Sequence, residues 1–295
     1  MHKSQSAMEY LMTYGWAILI IAVVLAVLFQ LGVFSGGNFL PHAQPGSCQV
    51  SRTIAGTSLE GQCNGMLPEY AATFSQSPAG YITATDQQSS YQKLTVSFWI
   101  DPQNNGYWGN SGNYYEDAVA LASSAGCGSA TEFFYIEASI NPPVESFSIG
   151  GARNFPGVHL TPNTWQTLVG VFDGSYLTVY LDGAQIGSPV LTNGNTVTSA
   201  TNVMISGSNP IPSVAGCNPI SGMLSNVQIY NTSLSSAEIS ALYLEGIGGA
   251  PIRPQNIVGW WPLNGNANDY SGNNNNGQLN SVTFSSSWES GYTAP

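Results

Sequence analysis

Basic residues are scarce in this chain. Lysine and arginine total 5 against 16 aspartates and glutamates, which gives a formal net charge of -11. This charge repels nucleic-acid backbones and anionic lipid surfaces, so the composition excludes a nucleic-acid partner and a basic peripheral membrane protein. With 33 glycines, 17 prolines and 7% charged residues, the chain has the composition of a β-rich body in an aqueous exterior.

Groups suited to acid–base or metal chemistry are also few. The 3 histidines, His2, His42 and His159, form neither a triad pattern nor a metal-binding set. A glycosidase needs two carboxylates about 5 to 9 Å apart, but the spacing of Glu132 and Glu137 sends them to opposite faces of a strand. We therefore predict that the chain is not an enzyme.

Cysteine is limited to four residues, namely Cys48, Cys63, Cys127 and Cys217. No CxxC pair indicates a metal cluster, and the chain carries the export signal described next, so two disulfides are expected. We favour Cys48 with Cys63 and Cys127 with Cys217. Four cysteines allow three connectivities, and the sequence alone does not choose among them.

One long apolar segment stands out from this polar composition. Residues 15–34 contain one strongly polar side chain, that of Gln30. A helix of this length crosses about 30 Å of hydrocarbon at 1.5 Å per residue. No A-x-A-like site follows it, so the segment differs from a secretory signal cut by the usual signal peptidase.

The residues that precede and enter this segment, KSQSAMEYLM, resemble the class III signal peptides of archaeal type IV pilins and archaellins. The resemblance implies that a prepilin peptidase recognises Lys3 and Ser4 and cuts before Gln5. Residues 1–4 would then be the leader, and residues 5–35 the hydrophobic helix of the mature chain. The precursor would be inserted in the membrane before assembly.

Glu9 is the carboxylate at the start of this helix. Cleavage exposes an α-amine on Gln5, and Glu9 can pair with the amine of a neighbouring subunit. Two opposite charges can enter an apolar core together, although either alone is too costly to bury. We expect Gln5 and Glu9 to direct the assembly of identical subunits into a filament. The alternative is a single-pass anchor whose Glu9 faces cytoplasmic water.

Residues 36–47, rich in glycine and proline, predict a linker, and residues 48–295 form the head. The alternation in LTVSFWI (94–100) predicts a half-buried strand. Asp-Gly pairs at 173–174 and 182–183 predict hairpin turns between three further strands. A helix is predicted in residues 233–246, opened by a capping box of Ser235 and Glu238 and closed by Gly246. We predict a two-sheet, all-β sandwich of jelly-roll type on a long N-terminal hydrophobic α-helix.

The segments LTVSFWI, TWQTLVGVFDGSYLTVYLDGAQIGS and GMLSNVQIYNTSLSSAEISALY, in this order, resemble the laminin-G-like, concanavalin A-like jelly-roll family. The segment VGWWPLNGNANDYSGNNNNGQL resembles the family's opening strand and loop but comes last here. A circular permutation and a truncated second domain both explain that order. Too few residues follow Gly249 to bury a core of their own, so we expect Trp260 and Trp261 to close the same sandwich.

The resemblance implies a structural Ca²⁺ near this last loop, with Asp269, Asn273 and Asn226 as ligands. Carboxylate and amide oxygens suit a hard cation. Ser225 and Asn226 replace the family's acidic pair, however, which removes charge from the site. A solvated asparagine turn is the alternative.

Two further sites follow from the sequence. The polar, glycine-bearing loop NNGYWGNSGNYYED holds aromatic residues that cannot all be core, and we expect them to bind a glycan or a cell-surface protein. The alternative is that they make contacts between subunits along a filament or pack over the edge of the sandwich. These residues are Tyr107, Trp108, Tyr114 and Tyr115. Asn231 begins the sequon Asn231-Thr232-Ser233, a candidate N-glycosylation site.

The sequence therefore predicts a structural subunit of an archaeal extracellular pilus-like filament with an adhesive head. The alternative is a membrane-anchored surface lectin that does not polymerise.

Overall fold

In a computed structural model of the chain, the described residues are 18–25, 49–53, 56–60, 67–76, 78–88, 90–103, 115–122, 132–139, 144–149, 152–154, 160–198, 201–207 and 217–295. The chain divides into two units, Met1–His42 and Ala43–Pro295. Each unit is described by itself below.

In the first unit, residues 18–25 form a helix, α1. Its sequence, ILIIAVVL, is apolar on every side, and its seven large side chains are 49% to 66% exposed. The rest of the predicted helix over residues 5–35 lies outside the described residues and stays a prediction. Among the residues that the structure describes, none belongs to a helix long and apolar enough to cross a bilayer.

Strands make up most of the regular secondary structure among the described residues of the second unit. In chain order they are β1 Gln49–Thr53, β2 Gly56–Glu60, β3 Ala71–Phe74, β4 Tyr81–Thr85, β5 Ser90–Tyr91, β6 Leu94–Pro102, β7 Tyr115–Asp117, β8 Val119–Ala122, β9 Glu132–Ser139, β10 Val144–Ile149 and β11 Ala152–Asn154. They continue as β12 Gln166–Phe172, β13 Tyr176–Leu181, β14 Ala184–Leu191, β15 Val197–Thr198, β16 Asn202–Ile205, β17 Cys217–Pro219, β18 Gly222–Tyr230, β19 Ile257–Trp261, β20 Gln278–Asn280 and β21 Thr283–Ser285. Helix α2 spans Ser236–Leu244, and a 3-10 turn spans Pro254–Asn256.

Two large sheets make the sandwich. The first is 8-stranded, with the order β14-β13-β12-β6-β18-β3-β21 and β19 attached to β18. The second is 9-stranded, with the order β11-β10-β9-β8-β16-β4-β20, and β7 and β17 are attached to it through β9. Two small antiparallel sheets, β1-β2 and β15-β5, complete the unit. The predicted all-β jelly-roll sandwich is confirmed.

The core lies between the two large sheets because alternate side chains of each strand point inward. Leu94, Val96 and Phe98 of β6 meet residues of the other sheet in this core, among them Ile82 and Val203, and all five are at most 1% exposed. Both predicted Asp-Gly turns are present, since β12 ends before Asp173 and β13 ends before Asp182. Asp182 and Gly183 have φ values of 48° and 76°, as the tight hairpin there requires.

A second layer covers the outer face of the 8-stranded sheet. Helix α2 packs Ile239 and Leu242 against Val169 and Val171 of β12. Its predicted capping box is confirmed, because the Glu238 carboxylate accepts the Ser235 N–H at 2.8 Å. The prediction that the strand beginning at Leu94 is half-buried is wrong. All nine residues of β6 are buried, since this second layer covers the face that was expected to be exposed.

The last strands belong to the same two sheets. Strand β19 pairs with β18, β20 pairs with β4 in the 9-stranded sheet, and β21 pairs with β3 in the 8-stranded sheet. Trp260 and Trp261 are at most 1% exposed. Residues 257–285 are therefore an integral part of this sandwich.

Candidate functional site

Several predicted sites fall on residues outside the described part of the chain. The processing and assembly residues are among them, and so are three cysteines and most of the aromatic loop; they are Lys3, Ser4, Gln5, Glu9, Cys48, Cys63, Cys127, Tyr107, Trp108 and Tyr114. Tyr115 and Cys217 are described by their backbone alone, in the parallel pair β7-β17, where they are register partners. These predictions stay untested.

The loop between β19 and β20 is built around the carboxylate of Asp269. Oδ1 accepts the backbone N–H groups of Trp260 at 3.0 Å and Ser271 at 2.9 Å. Oδ2 accepts the backbone N–H of Asn275 at 2.8 Å and the Ser271 hydroxyl at 2.9 Å. Four donors from the strand and the loop therefore converge on this one side chain.

Asn226 lies at a bulge where one extra residue enters β18 opposite β6. Its φ of 51° turns the side chain out of the regular alternation. Oδ1 accepts Trp260 Nε1–H at 2.8 Å and Gln228 Nε2–H at 2.9 Å, and Nδ2 donates to the Gly249 carbonyl at 2.8 Å. Asn226 is 4% exposed, so this amide links β18, β19 and the segment after α2 inside the protein.

Asn273 completes the same region. Its Nδ2 donates to the carbonyls of Ile257 at 3.1 Å and Val258 at 2.7 Å. The backbone carbonyl of Asn273 accepts a hydrogen bond from Gln87 Nε2 at 2.9 Å. The three predicted metal ligands, Asp269, Asn226 and Asn273, are thus brought together along β19, and each one makes hydrogen bonds to the surrounding protein.

A second buried polar contact joins Asp86 and Tyr91, beside β4 and on β5. The Tyr91 hydroxyl lies 2.9 and 3.0 Å from the two carboxylate oxygens, and the backbone N–H of Gln88 donates to Oδ1 at 2.8 Å. Asp86 is 5% exposed. Burial raises the pKa of its carboxyl to about 6, although the two hydrogen bonds act in the opposite direction.

An aromatic cluster covers the end of β6 on the outer face of the 8-stranded sheet. It consists of Trp99, Trp165, Tyr243, Trp288 and Tyr292. Trp99 stacks on Tyr243 at a centroid distance of 5.9 Å, and Trp165 meets Trp288 edge to face at 5.9 Å. The Trp165 indole N–H donates to the Trp288 carbonyl at 2.8 Å. The C-terminal residues are therefore fixed on the sheet.

Asp101 follows Trp99 on the same strand and is 3% exposed. Its Oδ1 atom is buried without a hydrogen-bond partner. Burial raises the pKa of this carboxyl to about 6, against the opposing effect of the Thr164 backbone N–H that it accepts. The sequence pattern did not single out Asp101, because nothing in the chain near it showed that the C-terminal residues would cover this face.

Asn231 is exposed and directly follows β18. Its Oδ1 accepts Asn256 Nδ2 at 3.1 Å, and its Nδ2 lies 3.4 Å from Gln88 Oε1. The first residue of the sequon therefore lies at the surface, and its glycosylation stays a prediction.

The sequence profile of the concanavalin A-like lectin/glucanases superfamily, Laminin_G_3, matches residues 76–240, more than half of the chain. The chain belongs to this superfamily. The match ends before β19, β20 and β21, which complete the two sheets. No curated protein matches the chain.

Solved structures share the fold of this superfamily. A protein from Bacteroides ovatus, described as carbohydrate binding, has a TM-score of 0.53 at 12% identity, over 82% of this chain and 70% of that chain. A heptameric SAP-like pentraxin from Limulus polyphemus has a TM-score of 0.49 at 14% identity, over 73% of this chain and 94% of that chain. At 12% identity, the similarity to the Bacteroides ovatus structure shows a common fold.

The predicted calcium ligands do not fit a cation in this member of the superfamily. An ionised carboxylate offers about four lone-pair sites, and four donors already occupy those of Asp269. The amide oxygen of Asn226 likewise accepts two N–H donors. Within the described residues, no group of three or more His, Cys, Asp or Glu side chains could hold a metal ion.

Proposed function

We propose that this chain is the structural subunit of an archaeal type IV pilus-like filament, whose superfamily head is displayed outside the cell for adhesion to a glycan. The observation that supports assembly is α1. An apolar helix exposed on all sides is unstable in water and has to be covered by lipid or by other helices. Seven large apolar side chains of α1, from Ile18 to Leu25, require such a cover.

Glu9 favours other helices over lipid as the surroundings of α1. A plain anchor remains in lipid and needs no carboxylate at the mouth of its helix. In a filament, the new amine of Gln5 and the carboxylate of Glu9 from an adjoining subunit neutralise each other, and identical helices replace lipid around α1. The partners are therefore a prepilin peptidase during processing and identical subunits afterwards.

The native amino terminus tests this assignment. Mass spectrometry of the chain isolated from its own cells is expected to show a mature protein beginning at Gln5, in material that sediments as filaments. An intact Met1 in membrane-bound, unassembled protein would instead establish the surface lectin that does not polymerise.

The head is proposed to bind a carbohydrate and to lack catalytic activity. The superfamily assignment supports carbohydrate binding, together with the fold shared with the Bacteroides ovatus protein described as carbohydrate binding. The lack of a suitably spaced carboxylate pair in the sequence is the ground for proposing no catalysis. The proposed contact residues are Tyr107, Trp108, Tyr114 and Tyr115, since aromatic rings in a polar loop can stack on sugar rings. Two disulfides, one of them between Cys48 and Cys63, are proposed to stabilise the head outside the cell. In the hairpin β1-β2, Gln49 and Glu60 are register partners, and they lie one and three positions along the chain from the two cysteines.

Glycan-array binding of the full chain in detergent tests the ligand assignment. Trp108→Ala is expected to abolish binding, whereas Tyr176→Ala, which removes a 44% exposed ring from β13, is expected to leave it unchanged. Binding that survives Trp108→Ala at full strength would remove the aromatic loop from the proposal. A chain that binds no glycan at all would favour a purely structural head.

A further inference from the structure

We propose that the Asp269 carboxylate closes the loop between β19 and β20 through hydrogen bonds alone, in the position where a calcium ion was expected, so that the head is stable without calcium. These hydrogen bonds tie the C-terminal part of the sandwich together, and they require neither the filament nor a glycan.

Asp269 already accepts about as many hydrogen bonds as a carboxylate has lone-pair sites. Both oxygens accept two hydrogen bonds each, from three backbone N–H groups and one hydroxyl, at distances of 2.8 to 3.0 Å. Hydrogen bonds to an ionised carboxylate are about twice as strong as neutral ones. A cation that took Asp269 as a ligand would have to displace them.

The groups around Asp269 also carry partial charges of the wrong sign for a cation site. N–H groups present their positive ends to Asp269, and a cation placed there would be repelled by those same groups. The N–H of Trp260 belongs to strand β19, which is buried along its whole length. Its loss of a partner would leave a buried donor unpaired, at a cost of about 1 to 3 kcal/mol.

Among the described residues of this region, few oxygen atoms remain that could bind a calcium ion. Calcium takes six to eight oxygens and depends on several carboxylates for affinity. Asp269 is the one acidic residue between Ile257 and Asn280. Asn226 uses its amide oxygen on Trp260 and Gln228. A buried oxygen without a donor is found on Asn275 Oδ1, and this amide supplies at most one of the ligands needed.

The amides of the loop are directed to a carbonyl of β19, which acts as a second point of closure. The Val258 carbonyl accepts Asn273 Nδ2 at 2.7 Å and Asn275 Nδ2 at 3.0 Å. A calcium site would need this carbonyl, and amide oxygens rather than amide nitrogens, to face the ion. Asn273 and Asn275, two of the four asparagines in this run, therefore serve as donors to the strand.

Thermal unfolding of the full chain in detergent tests the inference. The Tm of the unmodified chain is expected to be the same in millimolar Ca²⁺ and in EDTA. Terbium, used as a luminescent substitute for calcium near Trp260, is expected to show no saturable sensitised emission. A Tm that rises with Ca²⁺, together with saturable terbium emission that Asp269→Asn abolishes, would overturn the proposal and establish a metal site.

The variant Asp269→Asn tests the carboxylate itself. An amide keeps one acceptor oxygen but turns an NH₂ group toward N–H donors, so a fall of several degrees in Tm is expected, equal with and without Ca²⁺. Asn268→Ala, at an exposed neighbouring position, is the matched control and is expected to keep the Tm of the unmodified chain. An Asp269→Asn chain as stable as this control would contradict the role of the carboxylate. A variant that does not fold leaves the calcium comparison on the unmodified chain decisive.

Discussion

The indole N–H of Trp260 donates to Oδ1 of Asn226 at 2.8 Å inside the protein. The backbone N–H of the same tryptophan donates to Asp269. Trp260 is therefore held at its ring by the bulge of β18 and at its backbone by the loop that follows β19. These two bonds attach a strand from beyond the superfamily match to the sheet that the match contains.

Asn226→Ala is expected to destabilise the head by about 2 kcal/mol or more, because it leaves the buried N–H groups of Trp260 and Gln228 without their acceptor. Chemical denaturation followed by tryptophan fluorescence measures the change. The exposed Asn268→Ala is the control and should stay within about 0.5 kcal/mol of the unmodified chain. Equal stability of the two variants would show that the amide of Asn226 is dispensable.

The head is expected to become less stable as the pH rises from about 4 to about 6. Burial raises the pKa values of Asp86 and Asp101 from 3.8 to about 6. Between these values the unfolded chain loses a proton that the folded chain keeps, so the unfolded state is favoured by rising pH. Below the lower value both states are protonated, and above the upper value both are ionised, so stability levels off at each end.

The variant Asp101→Asn is expected to reduce this pH dependence, because it replaces an ionisable buried group by a neutral one. The measurement is the difference in Tm between pH 4 and pH 7. Glu289→Gln, at an exposed position, is expected to leave that difference unchanged. If the Asp101→Asn chain keeps the full difference in Tm between pH 4 and pH 7, the pH dependence arises from Asp86 or from other carboxyls, and the role given to Asp101 is wrong.

Removal of residues 288–295 is expected to destabilise the head severely. Trp288 is 1% exposed, its ring packs on Trp165 and Tyr292, and its indole N–H donates to the Pro68 carbonyl at 3.1 Å. Loss of a buried tryptophan side chain costs about 3 to 5 kcal/mol. Circular dichroism melting of the shortened chain measures the effect.

The control for this deletion is removal of Thr293–Pro295 alone, all of which are exposed. That shorter deletion is expected to leave the Tm unchanged. If the chain lacking residues 288–295 has the same Tm as the control, the aromatic cluster contributes little to the stability of the fold.

Asn231 is expected to carry an N-linked glycan in the native cell, since its amide is exposed. Peptide mass spectrometry should show the added mass, and Asn231→Gln should remove it with little change in stability. Thr232→Ala keeps the sequon and is expected to keep the glycan, whereas Ser233→Ala is expected to lose it. An unmodified Asn231 in protein from its own cells would contradict the prediction.

Local patterns were enough to predict the elements of the head that depend on neighbouring residues. The capping box of Ser235 and Glu238 and the turn at Asp182-Gly183 each require a few adjacent side chains, and both are present. The alternation in β6 predicted its inward face correctly. Its outward face was predicted to be exposed, and it is buried because α2 and the C-terminal residues cover it.

Features that join distant parts of the chain could not be predicted in this way. Trp288 and Pro68 are 220 positions apart, and no periodicity links them. The run of asparagines near Asp269 led to the prediction of oxygen ligands for a cation. Composition shows that amide groups are present, but it does not show whether the oxygen or the nitrogen of each amide faces the strand. The hydrogen bonds of Asp269 and Asn226 became visible once β18 and β19 were paired.

The central claim is that identical apolar helices cover one another once the α-amine of Gln5, exposed by cleavage, forms a salt bridge with the Glu9 carboxylate of an adjoining subunit. Filament yield in cells that express Glu9→Gln tests it most directly, with processing of the precursor checked by mass spectrometry and Glu69→Gln, on the exposed surface of the head, as the control. The account predicts a processed Glu9→Gln chain that stays in the membrane without filaments, while the control assembles normally. Filaments at the control level from processed Glu9→Gln protein would contradict it.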